Sequence, residues 1–323
     1  MASSVDSIGV FGLEPQYRDY VWGGNRLRPG KSPTAEAWII YEGDKISSGP
    51  LAGQTLAEAA QTYGAALLGE RVVSRTGMRF PLLVKLLDCA QWLSLQVHPN
   101  DQQAIELEGS DQFGKTEAWY ILDADPGAEI LWGLKSDARK ADWKQAVRAG
   151  QILDYTQKIA VETGQTVFIP AGTMHALGPG LFVYEVQQVS DITYRVFDWN
   201  RPTTSGRKLH IEQSLAVIDP DATGKPVPRP PFIDGHTARL VECPYFALDL
   251  LTAETTPLHL ATQGKTFHAL TVIEGQVRIE GEGWSQVFDR LQTAVIPANS
   301  KPYQVHPMTH ASILKASVED TTG

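Results

Sequence analysis

Short apolar runs punctuate the chain at residues 37–41, 82–87, 92–97, 118–122, 166–169, 181–186 and 270–273. They are rich in β-branched and aromatic side chains and are bounded by Gly, Pro, Asp or Asn, the signature of strands. With 28 Gly and 20 Pro available for turns, so many short strands favour a sandwich or barrel over a doubly wound α/β sheet. Three segments change period. Residues 55–68 place Leu56, Ala59, Ala60 and Tyr63 at helical spacing. Residues 136–149 begin on a capping Ser, carry Trp143 and Val147 four apart and stop at Gly150. Residues 211–218 predict a third, shorter helix. The expected fold is mainly β, with a few peripheral helices.

One stretch fits neither period. Pro220, Pro226, Pro228, Pro230 and Pro231, with Gly224 among them, cannot continue a helix or a central strand. Residues 220–235 therefore read as a linker dividing a domain at 1–219 from one at 236–323, which suits a chain of 323 residues.

Charge narrows the function classes. With 28 basic and 37 acidic residues the net charge is −9, a field that repels nucleic acid and anionic membranes but still permits a local basic pocket for a small phosphorylated substrate. Cys89 and Cys243 make no disulfide framework and read as small buried hydrophobes in a cytoplasmic protein. Residues 1–7 show no basic-then-apolar signal peptide, and no run approaches the length of a membrane-spanning helix.

Candidate chemistry gathers in three places. In residues 93–101, alternation puts Gln96 and His98 on one strand face before Pro99 ends the strand; a polar edge pair is the plain alternative to half a metal site. In residues 164–175, Gly164, Pro170, Gly172 and His175 are spaced G-x5-P-x-G-x2-H, a glycine turn, a strand, a tight turn and an inward His. In residues 114–122, Glu117 opens an apolar strand, where a lone carboxylate is costly to bury unless paired or metal-bound. Two imidazoles, a carboxylate and an amide oxygen suit Zn²⁺, and also Fe²⁺, Mn²⁺ or Co²⁺.

The segment ending at His175 resembles the second conserved motif of the cupin superfamily, whose His is a metal ligand. Residues 96–99, 114–117, 170–175 and 190–199, together with 22–24 and 36–38, resemble in order the motifs of the class I mannose-6-phosphate isomerases in their short bacterial form. The resemblance implies two cupin-like jelly-roll halves and one Zn²⁺ per chain held by His98, Glu117, His175 and Gln96. It also implies an active-site Arg at Arg195 and a catalytic or substrate-binding Lys at Lys115. The implied reaction interconverts mannose 6-phosphate and fructose 6-phosphate by proton transfer between C2 and C1 through an enediol. The chain departs from the general cupin pattern in placing the acidic ligand well after the first His.

Arg195 shares a strand face with Asp191 and Thr193, and its forked cation suits an oxyanion or phosphate; the plain alternative is a pair with Asp191 or Asp198. Ser94 and Ser190 are further candidates for the phosphate. The second half holds a decayed echo of the His175 motif at residues 294–302, with Asn299 for Gly and Pro302 for the His, and reads as packing without a metal. The other readings are an isomerase or epimerase of the same fold acting on another (phospho)sugar, a cupin dioxygenase, and a non-catalytic sugar-binding or regulatory cupin. Oligomeric state is not readable from the sequence.

Overall fold

The computed structural model describes residues 8–138, 142–202, 207–222 and 224–319. The N-terminal residues read as lacking a signal peptide, and residues 139–141 of one predicted helix, lie outside this range. The chain forms two compact units, each a pair of antiparallel sheets with its core between them.

The unit comprising Tyr17–Ala37 and Lys85–Pro228 holds a five-stranded sheet in the order Tyr194–Phe197, Leu95–Val97, His175–Leu177, Glu129–Leu134, Thr156–Ala160. Facing it, strands Leu82–Cys89, Leu181–Gln188, Glu117–Ala124 and Thr166–Ile169 are consecutive in a six-stranded sheet. Alternation decides which side chains meet. Trp119, Ile121, Val167 and Ile169 from one sheet pack against Ile130, Trp132 and Leu177 from the other. The outer face of the five-stranded sheet, carrying Leu95, Val97, Leu131 and Ala176, is covered by Trp143, Val147 and Val217 from two helices.

The second unit comprises Met1–Gln16, Trp38–Val84 and Arg229–Gly323. Its six-stranded sheet includes, side by side, Ala247–Ala253, Ala311–Ser317, His268–Glu274 and Thr293–Ile296; its four-stranded sheet runs Leu258–Leu260, Tyr303–Pro307, Gln276–Gly281, Trp284–Asp289. Leu251, Leu270 and Ile313 meet Val277, Ile279 and Val305 in its core. Strand order matches the first unit. Glu117 pairs with Ile169 and His268 with Ile296, and each Ile is followed by Pro-Ala. Among the described residues no sheet closes on itself, so both units are sandwiches rather than barrels.

Several expectations change. The expected division at 219/236 differs from the compact units, which interleave in five chain segments; only one of the crossings, at 228/229, falls in the Pro-rich stretch. The other three fall inside strands, where composition gives no signal. The Pro-rich stretch is itself anchored: Val227 and Thr166 exchange both backbone hydrogen bonds at 2.8 Å. The predicted helix at 55–68 breaks at Gly64 (φ +46°) into Leu56–Tyr63, capped by Thr55, and Ala65–Leu68. The predicted 136–149 helix is shorter, Trp143–Arg148, because Asp142 caps it by accepting from the Gln145 N–H. A helix absent from the sequence reading, Asp101–Glu108, starts at a reciprocal cap between Asn100 and Gln103. Both cysteines are buried and free. Among the described residues no helix is long and apolar enough to cross a membrane.

Candidate metal centre

Register places the candidates. Gln96 lies directly between His175 on one neighbouring strand and Arg195 on the other, so all three share a face. His98 follows at the strand's end. Pro170–Thr173 forms a turn closed by the Thr173 N–H donating to the Pro170 carbonyl at 3.1 Å. Gly172 sits third in that turn at φ +86°, as a type II turn demands, and its N–H donates to the His98 carbonyl at 2.8 Å. Glu117 arrives from the facing sheet. Its loop is pulled in at Gly114, where a Cβ would lie 2.5 Å from the Asn100 carbonyl carbon, and the Lys115 N–H donates to the Pro99 carbonyl at 2.9 Å.

The side chains converge. Glu117 Oε1 is 3.1 Å from His175 Nε2, and Oε2 is 3.5 Å from His98 Nε2 and 2.7 Å from Lys115 Nζ. Lys115 Nζ also lies 3.1 Å from His98 Nε2, and the Gln96 amide 3.4 Å from His175 Nε2. His98, Lys115, Glu117 and His175 are all buried.

Tautomers follow from the neighbours. Nδ1 of His98 faces the Ile192 carbonyl and Nδ1 of His175 the Thr173 carbonyl, each at 2.8 Å. A carbonyl only accepts, so both Nδ1 atoms carry hydrogen, and in the neutral rings both Nε2 lone pairs point at Glu117. Burial, reinforced by the Lys115 charge, pushes the His98 imidazole well down. Burial pushes the Glu117 carboxyl up, but the positive charge beside it, Lys115 foremost, holds it well below its ordinary value. Neither Glu117 oxygen accepts a well-formed hydrogen bond. Two lone pairs and a fully buried carboxylate, with donor atoms all within 4.8 Å of one another, are a donor set that a divalent cation satisfies. Among the described residues no second such group of His, Cys, Asp or Glu occurs.

Beside this cluster is a polar cavity of about 300 Å³, lined among others by Gln96, Lys115, Arg195, Ser94, Arg207 and His210. The alternative partner for Arg195 is taken: Asp198 binds Arg201 at 2.9 Å and Arg207 at 2.7 Å. Among the described residues the Arg195 guanidinium makes no ion pair, and its buried Nε has no hydrogen-bond partner. Ser94 lines the cavity, whereas Ser190 donates to the Phe113 carbonyl at 2.8 Å. The sequence reading passed over His210, which lines the cavity and accepts the Arg195 N–H at 3.2 Å. It also passed over Lys85 and Glu185, a buried pair at 3.3 Å in which Glu185 further accepts from the Trp119 indole at 2.9 Å. The signal was available, since a lysine inside an apolar strand demands a buried partner.

In the second unit the corresponding centre has different chemistry. Tyr303 pairs with Leu260 as His175 pairs with Gln96, so Tyr303, one residue beyond Pro302, stands in the place of the His. His268 takes the place of Glu117, and its Nδ1 lies 2.8 Å from the Tyr303 hydroxyl.

Fold and site together define a class: a two-sandwich cupin-type protein whose first sandwich presents a His, Glu, His cluster to a small polar cavity. The sequence profile described as phosphomannose isomerase type I, catalytic domain, matches residues 10–118. Mannose-6-phosphate isomerase of Streptococcus mutans is 39% identical over 253 residues, 73% of this chain and 76% of that protein. Mannose-6-phosphate isomerase ManA of Bacillus subtilis is 33% identical over 284 residues, covering 84% and 87%. The crystal structure of the Bacillus subtilis mannose 6-phosphate isomerase superposes with a TM-score of 0.85 at 27% identity, over 96% of this chain and 99% of that one. The chain belongs to the type I phosphomannose isomerase family.

Proposed function

We propose that this chain interconverts mannose 6-phosphate and fructose 6-phosphate in the cytoplasm, with His98, Glu117, His175 and Gln96 holding one divalent metal ion. The donor set of nitrogen and oxygen without thiolate suits zinc. The observation that carries the reading is the convergence of the three conventional donors from two facing sheets beside a cavity that also holds Lys115 and an unpaired Arg195. Bound there, a divalent ion would supply Lewis-acid polarisation of the sugar carbonyl and charge against the developing enediolate.

The chain's own residues do the rest. A cavity of about 300 Å³ is at the small end for ligand clefts and suits a single phosphorylated monosaccharide. Arg195, its backbone held by His210, is available to bind the phosphate or the oxyanion through its forked donors. Proton transfer falls to Lys115: the C2 hydrogen leaves as a proton, the carbonyl moves from C1 to C2, and a proton is delivered to C1. Buried beside the donors and lining the cavity, Lys115 is positioned for both halves.

The test is a coupled assay of fructose 6-phosphate formation from mannose 6-phosphate, run beside other phosphorylated and free aldoses with metal content measured on the same sample. Activity lost on chelation and regained with Zn²⁺ supports the reading, and turnover by fully demetallated protein overturns it. Deuterium from solvent at C1 of the product supports the enediol route; complete retention of the C2 hydrogen counts against it.

A further inference from the structure

The second unit carries a cavity of about 740 Å³ at the same end of its sandwich as the metal cluster of the first. Its lining includes Arg71, Lys265, Lys315, His268 and Tyr303, with Glu319 as its one carboxylate. Lys315 spends part of its charge on Asp249 at 3.0 Å and Glu319 at 3.7 Å. The lining remains positive in a chain whose net charge is −9.

The buried dyad at its base adds a hydrogen-bond donor. His268 and Tyr303 own two polar hydrogens, one on the ring and one on the hydroxyl, and their mutual 2.8 Å contact uses one. Whichever tautomer holds, the other hydrogen is left over, on a pair that is buried yet lines the cavity. Burial, helped by the Lys315 charge, pushes His268 down to about 3, so the ring is a neutral donor and acceptor rather than a cation. Metal chemistry is gone: Leu260 stands where Gln96 does, and Tyr303 replaces His175.

We propose that this cavity is a second, metal-independent binding site for a small organic phosphate. Cations with a leftover neutral donor recognise phosphate oxygens, and Gln263, Gln304 and His259 around the mouth offer partners for hydroxyl groups.

Calorimetric titration of the full chain with sorbitol 6-phosphate tests this. The probe lacks a carbonyl and cannot be isomerised. Two molecules should bind per wild-type chain. The double variant Arg71→Glu, Lys265→Glu should weaken one of them about tenfold or more while kcat/KM for isomerisation stays within about twofold. Arg195→Ala should weaken the other and spare this one. His268→Phe, which keeps the bulk and removes the donor, should weaken the second site alone; should it fail to fold, the charge reversals at half-buried Arg71 and exposed Lys265 decide. A single binding event per wild-type chain, a second event indifferent to the charge reversals, or equal binding of unphosphorylated sorbitol would overturn the proposal. Because the site is read in the Arg195→Ala chain, its outcome is independent of the assay for isomerisation.

Discussion

The two sandwiches repeat one plan with opposite chemistry at one end. In the first, Glu117 and the two imidazoles converge lone pairs that suit a cation, with Lys115 Nζ 2.7 Å from the carboxylate. In the second, His268 and Tyr303 bind each other across 2.8 Å and keep one polar hydrogen over. Deeper in, the charged pair is inverted: Lys85 and Glu185 in one unit, Asp249 and Lys315 in the other, with Trp119 opposite Glu185 and Leu270 opposite Lys315. The frame tolerates either polarity because the hydrophobic interior between the sheets does the folding. What the buried polar positions must do is find partners; the first unit leaves acceptor lone pairs, and the second a single donor hydrogen, for something outside the chain to meet.

The contrast breaks most visibly in activity. Glu117→Gln or His175→Ala should cost on the order of a thousandfold or more in kcat while circular dichroism and thermal midpoint stay near wild type. Replacing His268 or Tyr303 should leave kcat unchanged, and a large loss there would sink the assignment of chemistry to the first sandwich alone. Arg195→Lys should recover part of the activity lost in Arg195→Ala, because charge survives but the fork does not; steady-state kinetics would show it.

Stability sharpens the inverted pairs. Lys85→Met strands the Glu185 carboxylate with the indole as its remaining partner, and should cost about 3–5 kcal/mol in urea unfolding. Lys315→Met should cost less, about 1–2 kcal/mol, because Asp249 keeps Arg239 as a partner. Equal costs would mean that the second pair is as isolated as the first.

Acid should act on the dyad. His268 has its folded value near 3 against 6.5 ordinarily, so between those values the unfolded chain binds the extra proton. Stability therefore rises with pH across that window and falls on acidification. His268→Phe should remove a slope of about 1.4 kcal/mol per pH unit, read from unfolding at several pH values. The smallest effect belongs to the turn below the cluster. Gly172→Ala, at φ +86° with its Cβ 3.1 Å from the Val217 carbonyl, should cost about 1–2 kcal/mol.

Much of this was legible in the residues. Alternation placed Gln96 with His98, and the Pro170, Gly172, His175 spacing described its turn correctly because turn chemistry is local. The cost of burying Glu117 flagged it before any partner was known. The same reasoning was open for Lys85 and was missed, and Tyr303 was hidden because the second turn is one residue longer than the first. The interleaving of the units left no compositional trace, since three of its crossings fall inside strands, with no turn or linker composition to mark them.

By itself the sequence determined the β-rich class, the tight turns, the cap at Thr55 and which side chains share a strand face, since each depends on dihedral preference and a period of two. Only tertiary structure decided that Glu117 from one sheet meets His98 and His175 from the other, that Asp198 leaves Arg195 unpaired, and that His268 closes on Tyr303. Those outcomes depend on register and sheet packing summed over many long-range contacts, and no local stretch of the chain encodes the distance between two sheets.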